Sequence, residues 1–144
     1  MKNVSIGYAS VLVGIGVMLS GCVGTPIGGT KQAAYVARAV SGKKTLVGTS
    51  SAVKPDCTFH AYPYNNVVQP ASHGKVDIEH GIVKGNFAKD SDAFMCSNKP
   101  VQGNMIYYTS NPGFVGTDQF TLRVTTLNSN QRVADENVTI KVVK

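Results

Sequence analysis

The alternation of apolar and polar residues changes character along the chain. Near the C-terminus it is strictly two-fold: in QFTLRVTTL, Phe120, Leu122 and Val124 fall on one face and Thr121, Arg123 and Thr125 on the other. NVTIKVVK sets Val138, Ile140 and Val142 against Thr139 and Lys141. A period of two is the mark of a strand with one face buried. NSNQR between these runs is rich in turn formers and predicts a hairpin connection. The same alternation occurs in KVDIEH, with Val76 and Ile78 opposite Asp77 and Glu79, and in CTFHAY, with Cys57, Phe59 and Ala61 opposite Thr58, His60 and Tyr62. Short strands separated by Gly, Pro and Asn turns predict an all-β antiparallel sandwich over residues 56–144.

Upstream the pattern differs. Ala33, Val36, Ala37 and Val40 fall at helical spacing, with Thr30 as N-cap and Gly42 as stop, giving a candidate helix over residues 31–41. Three turns are too few to stand alone in water, so this segment docks on the domain, docks on a partner, or does not form the helix. KKTLVGTSSAV after it is either a first strand or linker. VGTPIGGT before it is a Gly-rich flexible linker, so residues 22–55 read as a tether.

At the start, Lys2 precedes the uncharged apolar run from Val4 to Leu19, the form of a signal-peptide core over residues 1–21 and short for a permanent membrane span. Leu19-Ser20-Gly21-Cys22 resembles the bacterial lipobox. The resemblance implies that a diacylglycerol group alkylates the Cys22 thiol and that the lipoprotein signal peptidase cuts after Gly21. Two or more acyl chains, palmitate among them, at ~0.8 kcal/mol per buried CH₂ make a stable anchor where one chain does not. By resemblance to enterobacterial lipoproteins, an Asp after the cysteine holds the protein in the inner membrane; Val23 stands here, which implies the outer membrane, facing the periplasm or the cell surface.

Removing Cys22 from the count leaves Cys57 and Cys96, which in an oxidising compartment are most simply a disulfide. Other uses of these cysteines fit less well. Cys57-Thr58-Phe59-His60 lacks the second cysteine of a haem-attachment motif, a zinc site would have to recruit His60 and His80, and no His follows Cys96 as a blue-copper site requires. No cofactor or metal is expected.

IYYTSNPGFVGTDQFTLRV, Ile106 to Val124, resembles the signature of bacterial Ig-like and cadherin-like modules, and QPASHGKV upstream resembles their strand opening, with Pro70, Gly74 and Val76. The resemblance covers residues 67–143. In it, Pro112 and Gly113 set a tight turn, Phe114 tucks under it, Gly116 lets the backbone reverse, Asp118 accepts hydrogen bonds from turn amides and Phe120 enters the core. Tyr107 and Tyr108 point to opposite faces, so at most one is core. Calcium binding, common at cadherin-like junctions, is not expected, because acids are few and the Asp-x-Asn-Asp-Asn run is absent.

Composition narrows the function. The formal net charge is +6, yet Lys31, Arg38, Lys43, Lys44 and Lys54 come before any acid of the chain. Such a basic stretch either rests on anionic headgroups or is a soluble spacer. Export and the lack of a recognition motif exclude nucleic acid as the expected partner. His60, His73 and His80 stand in no nucleophile motif, and Asp77 with Glu79 or Asp90 with Asp92 fit exposed strand and turn positions better than a glycosidase pair. The expectation is therefore a non-enzymatic, outer-membrane-anchored Ig-like module that binds another envelope or extracellular protein, as an accessory of a secretion, conjugation or pilus assembly. The alternative is a carbohydrate- or small-ligand-binding surface lipoprotein that stacks its ligand on Tyr62, Tyr64, Tyr107 and Tyr108. With Lys43 and Lys44 these four are the candidate binding residues.

Overall fold

The computed structural model describes residues 31–126 and 132–144. Cys22, the expected signal segment 1–21, the expected linker before Lys31 and most of the NSNQR connection lie outside the described residues. Among the described residues nine strands run in the order β1 (Lys31–Val40), β2 (Thr45–Ser50), β3 (Ala52–Val53), β4 (Phe59–Ala61), β5 (Tyr64–Gln69), β6 (Gly74–Lys84), β7 (Pro100–Ser110), β8 (Gly116–Thr126) and β9 (Arg132–Val143). They form a four-stranded sheet β1-β9-β8-β5, a three-stranded sheet β2-β7-β6 and a two-stranded β3-β4 ribbon. The two larger sheets make a sandwich in which β2-β7-β6 and β5-β8-β9 occupy the B-E-D and C-F-G places of an immunoglobulin fold.

The late strands follow their period-two reading. Phe120, Leu122, Val124, Val138, Ile140 and Val142 face inward and meet Ile106, Tyr108, Val47 and Ala39 in one core. β8 and β9 pair directly, Phe120 opposite Val138 and Asp118 opposite Ile140, so inward residues of neighbouring strands stand side by side.

The segment with helical spacing is a strand. β1 runs parallel to β9, Tyr35 opposite Val138 and Ala39 opposite Val142. The residues that fit a helix, Ala33, Val36, Ala37 and Val40, are split between two faces: Ala37 packs against the core, while Val36 is 61% exposed. A three-turn helix has little stability of its own, whereas the free edge of β9 supplies a ladder of partners. Among the described residues the sandwich accordingly takes in β1 and β2, ahead of residue 56, and β2 is a strand instead of linker. This β1-β9 pairing is a parallel exception in an otherwise antiparallel sandwich.

The early alternation at CTFHAY shrinks to the three-residue β4. Cys57 is not in a strand: it has φ +68 and closes a turn in which its amide donates to the Lys54 carbonyl at 2.9 Å. Its sulfur bonds Cys96, with Cα atoms 5.4 Å apart. The disulfide fastens the β3-β4 ribbon to the long β6-β7 connection, and it occupies both cysteines that a zinc site would have needed.

The two ends of the sandwich differ. At one end lie the turn after β1, the β5-β6 and β7-β8 connections and the C-terminus. At the other lie Lys31, the β3-β4 ribbon and the β6-β7 connection. The Gly42 amide donates to Ser110 Oγ at 2.9 Å, fixing the end of β1 beside the end of β7.

Candidate functional site

The Pro112–Phe120 motif is a structural node. The Phe114 amide donates to the Asn111 carbonyl at 3.1 Å, and Gly113 sits at φ +80 and Gly116 at φ +147, values that a side chain would strain. Phe114 tucks only partly: it is half-buried and stacks on His73, ring centroids 4.2 Å apart. Asp118 does accept amides, but mainly from another turn. Its oxygens take the N–H groups of Ser72 at 3.0 Å and His73 at 2.9 Å on the β5-β6 connection, the Tyr108 hydroxyl at 2.8 Å and the Gln119 amide at 2.9 Å. Burial opposes ionisation of this carboxyl, yet the donors from His73, Tyr108, Ser72 and Gln119 outweigh it and hold Asp118 below the ordinary carboxylate range. Burial, followed by the bond to Asp118, pushes the Tyr108 phenol upward. Tyr108 is thus the core tyrosine and has no surface role.

His73 Nδ1 lies 3.7 Å from Asp118 Oδ1, which raises the question of a catalytic pair. The carboxylate is buried and already engaged by four donors, and the His73 side chain is 52% exposed, so the imidazole opens to solvent and not into a closed cavity. A polar cleft of about 190 Å³ at the opposite end is lined by Thr49, Ser50, Ser51, Lys84, Asn86 and Glu136. Glu136 pairs with Leu122 and so shares the inward face; burial raises its carboxyl. Desolvation, with a smaller contribution from Glu136, lifts the Tyr35 phenol to about 12. This inward acid was legible in the sequence, since the alternation of Val138, Ile140 and Val142 reaches Glu136 when extended two residues back. The cleft suits hydrogen bonding to a small polar group, but none of the three histidines lines it. Among the described residues no group of three or more His, Cys, Asp or Glu could hold a metal ion.

Of the candidate binding residues, the structure brings two together. Tyr107 projects from the outer face of β2-β7-β6, between Leu46 of β2 and Asp77 of β6. Lys44 Nζ lies 4.4 Å from the centre of its ring and donates to Glu79 Oε1 at 2.6 Å. That hydrogen bond raises the Lys44 ammonium above its ordinary range. Leu46 is 49% exposed beside the ring, the Tyr107 hydroxyl meets Met105 Sδ at 3.5 Å, and Lys75 pairs with Asp77 at 2.9 Å. The result is an aromatic and apolar centre with a charged rim, on the rigid middle strand of a sheet. Sequence spacing gives no hint of it, because Lys44, Glu79 and Tyr107 come from three strands or their ends.

The other tyrosines do not join it. Tyr62 stacks on His80, ring centroids 3.8 Å apart, and meets Phe59 at 4.9 Å. Tyr64 is 66% exposed on the outer face of the other sheet, opposite Thr125. Lys43 is exposed in the turn after β1, where its amide donates to the Val40 carbonyl at 3.0 Å. The four tyrosines therefore occupy four separate places and form no shared stacking groove. Comparison of the chain with protein-family models, with curated proteins and with solved structures finds no match.

Proposed function

We propose that this chain is a non-enzymatic envelope lipoprotein, anchored in the outer membrane through Cys22, whose Ig-like sandwich binds another envelope or extracellular protein. The observation that carries the reading is the Tyr107 face: a tyrosine with an apolar neighbour in Leu46, ringed by Lys44, Glu79 and Asp77. Protein interfaces place their strongest contacts in such centres, with Tyr enriched and charged residues at the rim. A component of a secretion, conjugation or pilus assembly fits a partner held near a membrane.

A photo-crosslinking residue at Leu46 in the full chain, expressed in intact cells, is expected to trap one discrete heavier species. The same residue at Thr121, on the outer face of the four-stranded sheet, is expected to trap none. Equal crosslinking from both faces, or recovery of this chain alone, removes the basis for the reading. Tyr107→Ala should weaken capture about thirtyfold, the effect of losing about 2 kcal/mol at an interface centre. Processing supplies a separate check on the address: inhibition of the lipoprotein signal peptidase should accumulate the uncut precursor, and unchanged processing overturns the lipobox assignment.

A further inference from the structure

We infer that the β6-β7 connection is a second membrane contact, in which Phe94 and Met95 seat in the same lipid surface that holds Cys22. The inference rests on the reading of Cys22 as lipidated and deepens it. Phe94 and Met95 are 45% and 65% exposed, adjacent, and carried on a single 3-10 turn, Phe94–Cys96. Neighbouring Cys96 is fully buried and disulfide-bonded to Cys57, so the apolar pair projects from a clamped turn.

Most amides in and beside this turn are bonded within it, that of Met95 excepted. The Phe94, Cys96 and Ser97 amides donate to the carbonyls of Ser91, Ala93 and Phe94 at 2.8–2.9 Å, and the Phe87 amide donates to Ser97 Oγ at 3.2 Å. Seating the turn among acyl chains would not strand these donors. The connection itself is charge-balanced, Lys89 and Lys99 against Asp90 and Asp92, so apolar burial, and not attraction to headgroups, drives the contact.

Position selects the lipid as occupant. The first described residue, Lys31, pairs with Ala134 near the start of β9, at the same end as the β6-β7 connection, where Lys84 pairs with Pro100. Only the eight residues Val23–Thr30 separate Cys22 from Lys31, a reach of at most about 30 Å when fully extended. An anchored domain therefore keeps this end within that distance of the bilayer, and the second contact would point the β1-β2, β5-β6 and β7-β8 connections away from it.

The chain has no tryptophan, so a single introduced one reports its own surroundings. The full-length lipidated protein would be purified as Met95→Trp and, as a far-end control, Val115→Trp, a site 49% exposed. Each would be reconstituted in phosphatidylethanolamine and phosphatidylglycerol vesicles with brominated acyl chains. The expected result is at least twofold quenching of Met95→Trp with a blue-shifted emission, and an unquenched Val115→Trp. Mass spectrometry of the mature N-terminus is read on the same samples. A lipidated Cys22 with Met95→Trp quenched no more than Val115→Trp overturns the second contact alone, whereas an unmodified Cys22 overturns the anchor and with it this inference.

Discussion

Asp118→Ala should destabilise the sandwich by about 3 kcal/mol, because it leaves the buried Tyr108 hydroxyl only the longer contact to the His73 carbonyl at 3.4 Å and removes an ionised group that ties the β5-β6 connection to β7 and β8. The carboxylate joins the β5-β6 connection, through the Ser72 and His73 amides, to the start of β8 and to the core-facing tyrosine of β7. It is 4% exposed, so water cannot replace the lost bonds well. In a domain of this size that loss lowers Tm by roughly 10 °C. Tyr108→Phe removes one member of the network and should cost about 1 kcal/mol, and the double variant should cost less than the sum because the two share a bond. The pH dependence follows from the depressed folded-state pKa of Asp118. Its contribution is complete above the unfolded carboxyl value of ~3.9 and is lost as the pH falls through the lower folded value. Urea unfolding of parent and Asp118→Asn should therefore differ most at neutral pH and converge in acid below about pH 4. Equal stability at neutral pH would show that the carboxylate holds nothing together.

The parts of this fold that can be read from sequence are those whose partners lie close along the chain or whose faces differ sharply in polarity. β8 and β9 qualify on both counts, and their inward residues form the core as the period predicts. The turn motif reads correctly as a device, and Asp118 as an acceptor, but its main donors belong to a connection some 45 residues upstream, which no local rule reaches. β1 misleads for a different reason. Its apolar residues satisfy a period of 3.6 through Ala33, Val36, Ala37 and Val40 and a period of two through Ala33, Tyr35, Ala37 and Ala39. Only the free edge of β9, more than a hundred residues on in the case of Asn137 opposite Ala34, decides between them. The Tyr107 face is hidden similarly: Lys44 reads as one charge in a basic run, and becomes specific when it lies over Tyr107 and against Glu79.

Removing the disulfide as Cys57→Ala with Cys96→Ala is expected to destabilise the folded domain by about 4 kcal/mol, the chain-entropy value for closing a loop with a sequence separation of 39. The loss should be distributed unevenly. β3 and β4 pair only with each other, and Cys96 lies outside the main core cluster, so the bond ties a peripheral ribbon and a long connection to a sandwich that keeps its own packing. Hydrogen exchange should accordingly show protection lost first over residues 52–61 and 85–99, while β7, β8 and β9 retain protection until global unfolding. Uniform loss across all strands would place the bond within the cooperative core instead. The same variants separate stability from presentation: with the clamp gone, Phe94 and Met95 remain in the chain but lose their fixed turn. Partner crosslinking from Leu46, on the far side of β7, should then persist at temperatures below the lowered Tm, while contact of the β6-β7 connection with lipid weakens.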